Sequence, residues 1–199
     1  WRYMTFDPSP NEAMDRKELK RFRSVTPPEG MRNWLAPDFD DRGWKKGKAP
    51  IGVGKWTGDI NAYDANGPGK TFANRSDWGD GEFLLMRSEF NLDSLDYDHI
   101  RLRVLALEGY QIHLNGHEIA SYAWYQLTPT YTPIMLGPEE RKHLKIGRNV
   151  LTATTVLAYW DSLPPGRRYL VDTPTLGQMD LYLEGLRNKD LFGDGKERK

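Results

Sequence analysis

The sequence predicts an all-β chain: a sandwich of two antiparallel sheets with long loops and one short N-terminal helix. Three observations carry this reading. From residue 83 onward, apolar residues recur at every second position, the period of a strand with one face buried. Asn115-Gly116 stands between two such runs and supplies the two positive φ values of a tight hairpin. No helical pattern alternates with the strands, so a parallel βαβ arrangement is not expected. Composition agrees: seven Trp, ten Tyr and seven Phe accompany 19 Gly and 13 Pro, which suits strands joined by decorated loops.

Each element follows from its own residues. Ser9-Pro10-Asn11-Glu12 reads as a capping box with proline at the first helical position, predicting a short helix to about Leu19. Residues 18 to 25 read equally as an edge strand. Residues 26 to 82 are rich in turns and poor in pattern, a length tolerable only if Trp34, Phe39, Trp44 and Trp56 pin the loops to the sandwich. Strands are then expected over 83–91, 99–107, 110–114, 119–122 and 150–159, with 168–172 and 177–185 completing the set. Arg101 and Arg103 oppose Ile100, Leu102, Val104 and Ala106, and Asp180, Tyr182 and Glu184 oppose Met179, Leu181 and Leu183. Gly137-Pro138-Glu139-Glu140 starts one helical turn. The chain reads as a single domain over 1–192, with 1–30 an N-terminal extension or edge element and 193–199 a flexible tail.

Charge and composition exclude several function classes. Lys and Arg total 28 and Asp and Glu total 28, so no net field draws nucleic acid or an anionic membrane. No run approaches the roughly 18 apolar residues of a membrane-spanning helix. Without cysteine there is no disulfide, thiolate nucleophile or cysteine zinc site. A chain that starts at Trp1 with no signal peptide reads as a piece of a longer protein. No G-x-S-x-G elbow or HExxH spacing occurs, and Gly67-Pro68-Gly69-Lys70-Thr71 fails as a phosphate loop because proline removes an amide donor. His113 and His117 flank the hairpin turn and are expected as solvated surface. Asp38, Asp40, Asp41 and Glu89 are the carboxylates a glycosidase-like pair would need, and nothing in the sequence brings two of them into a cleft.

Five segments in order carry a family likeness. They are Trp34-Leu35-Ala36-Pro37-Asp38-Phe39-Asp40-Asp41-Arg42-Gly43-Trp44, Ala49-Pro50-Ile51-Gly52, and Phe83-Leu84-Leu85-Met86-Arg87-Ser88-Glu89-Phe90. Ile112-His113-Leu114-Asn115-Gly116-His117-Glu118-Ile119 and Leu144-Lys145-Ile146-Gly147-Arg148-Asn149-Val150-Leu151 follow. Over residues 34 to about 158 the chain resembles the galactose-binding-domain-like β-jelly-roll, in the form found as a sugar-binding or accessory domain of glycoside hydrolases and related polysaccharide-degrading proteins. The resemblance implies a jelly-roll sandwich and a non-catalytic role inside a larger secreted, periplasmic or cell-envelope protein. It implies carbohydrate and neighbouring domains as partners, with no nucleic acid and no membrane insertion. No cofactor is required, and a structural calcium is a family possibility.

Sugar recognition needs flat apolar surface against the C–H face of a pyranose, ringed by side chains that hydrogen-bond hydroxyls. The residues expected for it are Trp124, Tyr125, Trp160, Asp161, Trp78, Arg75 and Trp56. Trp124-Tyr125 and Trp160-Asp161 lead because each follows a predicted strand directly; the competing reading makes the tryptophans buried loop anchors. Oxygen-rich loops containing Asp59, Asp64 and Asn66 suit calcium, or are simply turns. Two further expectations stay open: a purely structural domain bracing a catalytic neighbour, and a catalytic β-sandwich lyase or hydrolase.

Overall fold

The computed structural model describes residues 1–12, 25–54, 74–124, 130–159 and 175–192. The strands are β1 (Arg2–Phe6), β2 (Lys45–Lys46), β3 (Ile51–Val53), β4 (Ser76–Asp77), β5 (Phe83–Leu92), β6 (His99–Ala106), β7 (Tyr110–Leu114), β8 (His117–Tyr122), β9 (Thr132–Met135), β10 (Gly147–Val156), β11 (Ala158–Tyr159) and β12 (Thr175–Leu186). Among the described residues the helices are α1 (Pro138–Arg141) and α2 (Asn188–Phe192), both short. Sheet one runs β2-β1-β5-β10-β7-β8 and sheet two runs β4-β3-β12-β6-β9, with β11 added on β12. Neighbours are antiparallel throughout except β3 with β4. The expected two-sheet antiparallel sandwich is what the chain forms.

The inner core follows from the alternation. Leu84 and Met86 of β5, Ile112 and Leu114 of β7 and Ala153 of β10 meet Leu102 and Val104 of β6 and Met179 and Leu181 of β12. Sheet one is also covered on its outer face. Phe83 and Leu85, the alternate residues of β5, pack with Phe6, Val156, Val25, Trp34 and Trp44 in a second cluster. This explains the unbroken apolar run Phe83-Leu84-Leu85-Met86: a strand buried on both faces has no polar side to show. The cover is the turn-rich segment around Trp34 to Trp44, whose aromatics anchor it as expected; Phe39 meets Trp44 edge-on at 5.7 Å.

That cover corrects one expectation. His113, read as solvated, is buried beneath Trp34, whose ring meets it edge-on at 6.5 Å. Burial holds its imidazole below the ordinary histidine range. His117 does lie at the surface, where it stacks on His143 at 3.9 Å.

The N-terminal segment also differs. Residues 2–6 are β1, bonded along their whole length to β5 and over two residues to β2. The predicted helix falls mostly on residues outside those described. Its expected start is a turn in which the Ser9 hydroxyl donates to Glu12 at 3.0 Å. The Glu12 carboxylate does not cap the Ser9 amide; it accepts from the Thr26 amide at 3.0 Å and the Thr26 hydroxyl at 2.8 Å. The strand expected over 168–172 likewise lies outside the described residues.

Candidate functional site

The two ends of the sandwich are built differently. At one end, β6 turns into β7 through residues 107–109 and β10 passes to β11 through Leu157. The longer connections spring from this same end. Gly54 and Asn74 close one stem, the Asn74 amide donating to the Gly54 carbonyl at 3.1 Å. Gln178 at the start of β12 holds that stem by donating to Asn74 at 2.8 Å. Tyr122 and Thr132 flank a second connection, and β11 and β12 flank a third. The segments carrying the sequence-predicted site residues therefore all begin and end here. Trp56, Tyr125, Trp160 and Asp161 lie outside the described residues, as do Asp59, Asp64 and Asn66. Among the described residues no group of three His, Asp or Glu stands together to hold a metal ion.

Trp124 and Tyr122 are 46% and 42% exposed at the end of the edge strand β8. The Tyr122 ring stacks on Tyr110 at 6.0 Å and 29° between planes. Tyr110 is buried, and burial, with the Tyr122 phenol beside it, pushes its hydroxyl up to about 12. Tyr122 is thus an exposed aromatic ring on a fixed foundation, with the exposed Trp124 two residues further along, and exposed aromatic rings are what a sugar ring stacks on.

Trp78 is not part of that surface. Its side chain is fully buried, its indole N–H donates to the Gly81 carbonyl at 2.9 Å, and it packs against Gly177. A Cβ at Gly177 would lie 2.9 Å from the indole edge, so glycine is what lets the ring close on the strand. Trp78 is a loop anchor, the competing reading of the tryptophans.

Arg75 is exposed, and its charge reaches a group on the outer face of sheet two that the sequence reading did not assemble. Asp180 of β12 accepts a hydrogen bond from the Tyr131 hydroxyl. The Tyr131 ring meets Tyr182 edge-on at 5.5 Å. Burial raises the Asp180 carboxyl above the usual range, while the Tyr131 hydrogen bond and the Arg75 charge oppose the rise. Further along, the Nε atoms of Arg101 and Arg103 reach Glu184 at 2.6 and 3.2 Å. Alternation along β12 signalled that Asp180, Tyr182 and Glu184 share a face. Only the pairing of β9 with β6 brings Tyr131 to it.

Three of the four carboxylates singled out in the sequence, Asp40, Asp41 and Glu89, are held by arginine. Arg42 donates to Asp40 and keeps its carboxyl well below the usual range. The Arg148 guanidinium does the same to Glu89, its Nε lying 3.0 Å away. Asp41 bridges Arg2 and Arg87, at 3.1 Å from each.

No family model matches the chain, and no match is found among characterised proteins. Among solved structures it is similar to Bacteroides uniformis beta-glucuronidase 2, with 17% identity over 94% of this chain and 18% of that one and a TM-score of 0.46. It is similar to a glycosyl hydrolase family 2 member from Bacteroides cellulosilyticus, with 16% identity over 90% of this chain and 21% of that one and a TM-score of 0.40. For the alpha-L-rhamnosidase of Aspergillus terreus the identity is 18%, over 71% of this chain and 15% of that one, with a TM-score of 0.39. The chain thus spans about a fifth or less of the length of the proteins it matches.

Proposed function

We propose that this chain is a galactose-binding-domain-like, non-catalytic module of a larger secreted, periplasmic or cell-envelope protein that processes polysaccharide. Its task is to bind carbohydrate through aromatic and polar side chains at the loop-bearing end. The observation that carries the reading is the pair of exposed aromatics, Tyr122 stacked on buried Tyr110 and Trp124 two residues on. The exposed parts of these rings would bury apolar area against the C–H face of a pyranose. The non-catalytic part rests on the sequence, which carries no G-x-S-x-G elbow and no HExxH spacing.

Affinity electrophoresis of the chain against a panel of neutral and acidic polysaccharides tests the proposal. Trp124→Ala and Tyr122→Ala should each weaken binding about tenfold, the loss of one stacking partner. If neither variant changes the mobility of a chain that does bind, this pair is not the site.

A second reading has its own observation. Met135 and Tyr182 are exposed on the outer face of sheet two beside the Arg101–Arg103–Glu184 group. A mixed apolar and charged face of this kind suits packing against a neighbouring domain in the parent protein. A chain that binds no polysaccharide in the panel would favour this bracing role.

A further inference from the structure

The cross-strand register of sheet one gathers charge at the edge farthest from the aromatic pair. Lys46 of β2 stands opposite Arg2 of β1, and Arg2 stands opposite Arg87 of β5. Residues directly opposite share a face, so three cations form one row, and like charges so placed cost stability. Asp41 answers two of them, at 3.1 Å from each guanidinium. Lys46 and the nearby Lys48 have no ion pair among the described residues and are exposed. These residues line an open cleft of about 630 Å³, with Glu89 on its wall. Among the lining side chains four are cationic (Arg2, Lys46, Lys48, and Arg87 buried beneath) and two are carboxylates (Asp41, Glu89), an excess of two positive side-chain charges in a chain of zero net charge. Glu89 is itself claimed by Arg148 from outside the cleft.

From this geometry we infer that the cleft is a second binding subsite, one that takes an anionic group, carboxylate or sulfate, on an acidic saccharide. Saccharide as the carrier of that group rests on the function proposed above; the anion preference rests on the cleft alone. The Arg2–Asp41–Arg87 bridge makes a rigid floor, and two unpaired ammonium groups stand on it with donors to spare. The dimensions of the cleft suit one or two sugar residues, since ligand pockets commonly enclose roughly 300–1,000 Å³. The β2 and β8 edges are five strand spacings apart, roughly 24 Å at about 4.8 Å each. The cleft lies on the outer face of sheet one and Tyr122 shares the inner face with Tyr110, so the two sites are separate surfaces read by separate variants.

The test is affinity electrophoresis of the whole chain against polygalacturonate, dextran sulfate and dextran. The unmodified chain should be retarded more by one or both of the acidic polymers than by dextran, and added salt should erase the difference. Lys46→Gln/Lys48→Gln should reduce that excess about tenfold, whereas Lys142→Gln/Lys145→Gln, of the same net charge, should preserve it. All four lysines are exposed, so both double variants should fold, which matching urea unfolding curves would verify. Equal losses in the two double variants, or no loss in either, would overturn the inference. Retention by polygalacturonate alone assigns a carboxylate, and by dextran sulfate alone a sulfate. Loss of all binding in Trp124→Ala with none in the cleft variant removes the cleft and leaves the aromatic reading. The reverse pattern removes the aromatic pair and supports the cleft.

Discussion

Arg87 is a guanidinium with no exposed side-chain surface, placed on the outer face of a sheet. Its Nε donates to Asp41, its Nη1 donates to the Trp34 carbonyl, and its charge lies 5.3 Å from the centre of the Phe39 ring. The alternation of β5 indicates correctly that it points away from the inner core. What it meets there is a layer of aromatics, because the segment around Trp34 to Trp44 folds back over the sheet. A buried charge stripped of its partner is far costlier than the pair is worth. Asp41→Ala should therefore destabilise the chain by about 3–5 kcal/mol in urea unfolding, and the double variant Asp41→Leu/Arg87→Met by clearly less. Equal losses would mean that the ion pair does not hold the cover in place.

The β7–β8 hairpin shows a turn recruited as a joint. Asn115 and Gly116 have φ values of 51° and 87°, the left-handed conformations that the Asn-Gly pair predicts. Backbone preference explains the choice of Asn only in part. Its side-chain amide donates to the His143 carbonyl at 2.8 Å and to Asn149 at 2.9 Å, and its oxygen accepts the Val150 amide at 2.9 Å. Asn149, fully buried, in turn donates to the carbonyls of Lys145 and Gly147 and accepts the Lys145 amide. The turn thus ties the hairpin to β10 and to the segment after α1. Asn115→Gly keeps the permitted φ and removes three hydrogen bonds, so it should cost roughly 2–4 kcal/mol, read by thermal or urea unfolding. A loss of only a few tenths would mean the turn acts by conformation alone. The hairpin was legible from two residues; the joint was not, because residues 143 and 149 come near only once β10 pairs with β7.

At the scale of the whole molecule, two histidines and a buried tyrosine shape the response to pH. His113 and His143 are both shifted below their ordinary value of 6.5 in the folded chain, chiefly by desolvation. The unfolded chain therefore takes up protons first. Their contribution is complete above 6.5 and is lost as pH falls from there toward the lower folded values. Tyr110 works from the other side: raised from 10.0 to about 12, it contributes below 10 and its contribution is lost as pH rises toward 12. Melting temperature should fall on acidification below about pH 6.5, and His113→Gln should flatten that fall. An unchanged acid limb in His113→Gln would show that the buried imidazole is not its source.

By itself the sequence determined the architecture and the face of most residues. Period-two patterning and turn chemistry are local properties, and they prescribe strands, a hairpin and an inward side whatever the rest of the chain does. The tertiary structure alone decided what lies against each outward side: aromatics over Arg87 and His113, and the tyrosine just before β9 against Asp180. It also decided that Lys46, Arg2 and Arg87 stand in one row, and that Trp78 is an anchor while Trp124 faces solvent. Which surfaces meet depends on strand order and register, and those are set by the joint burial of residues far apart in the chain.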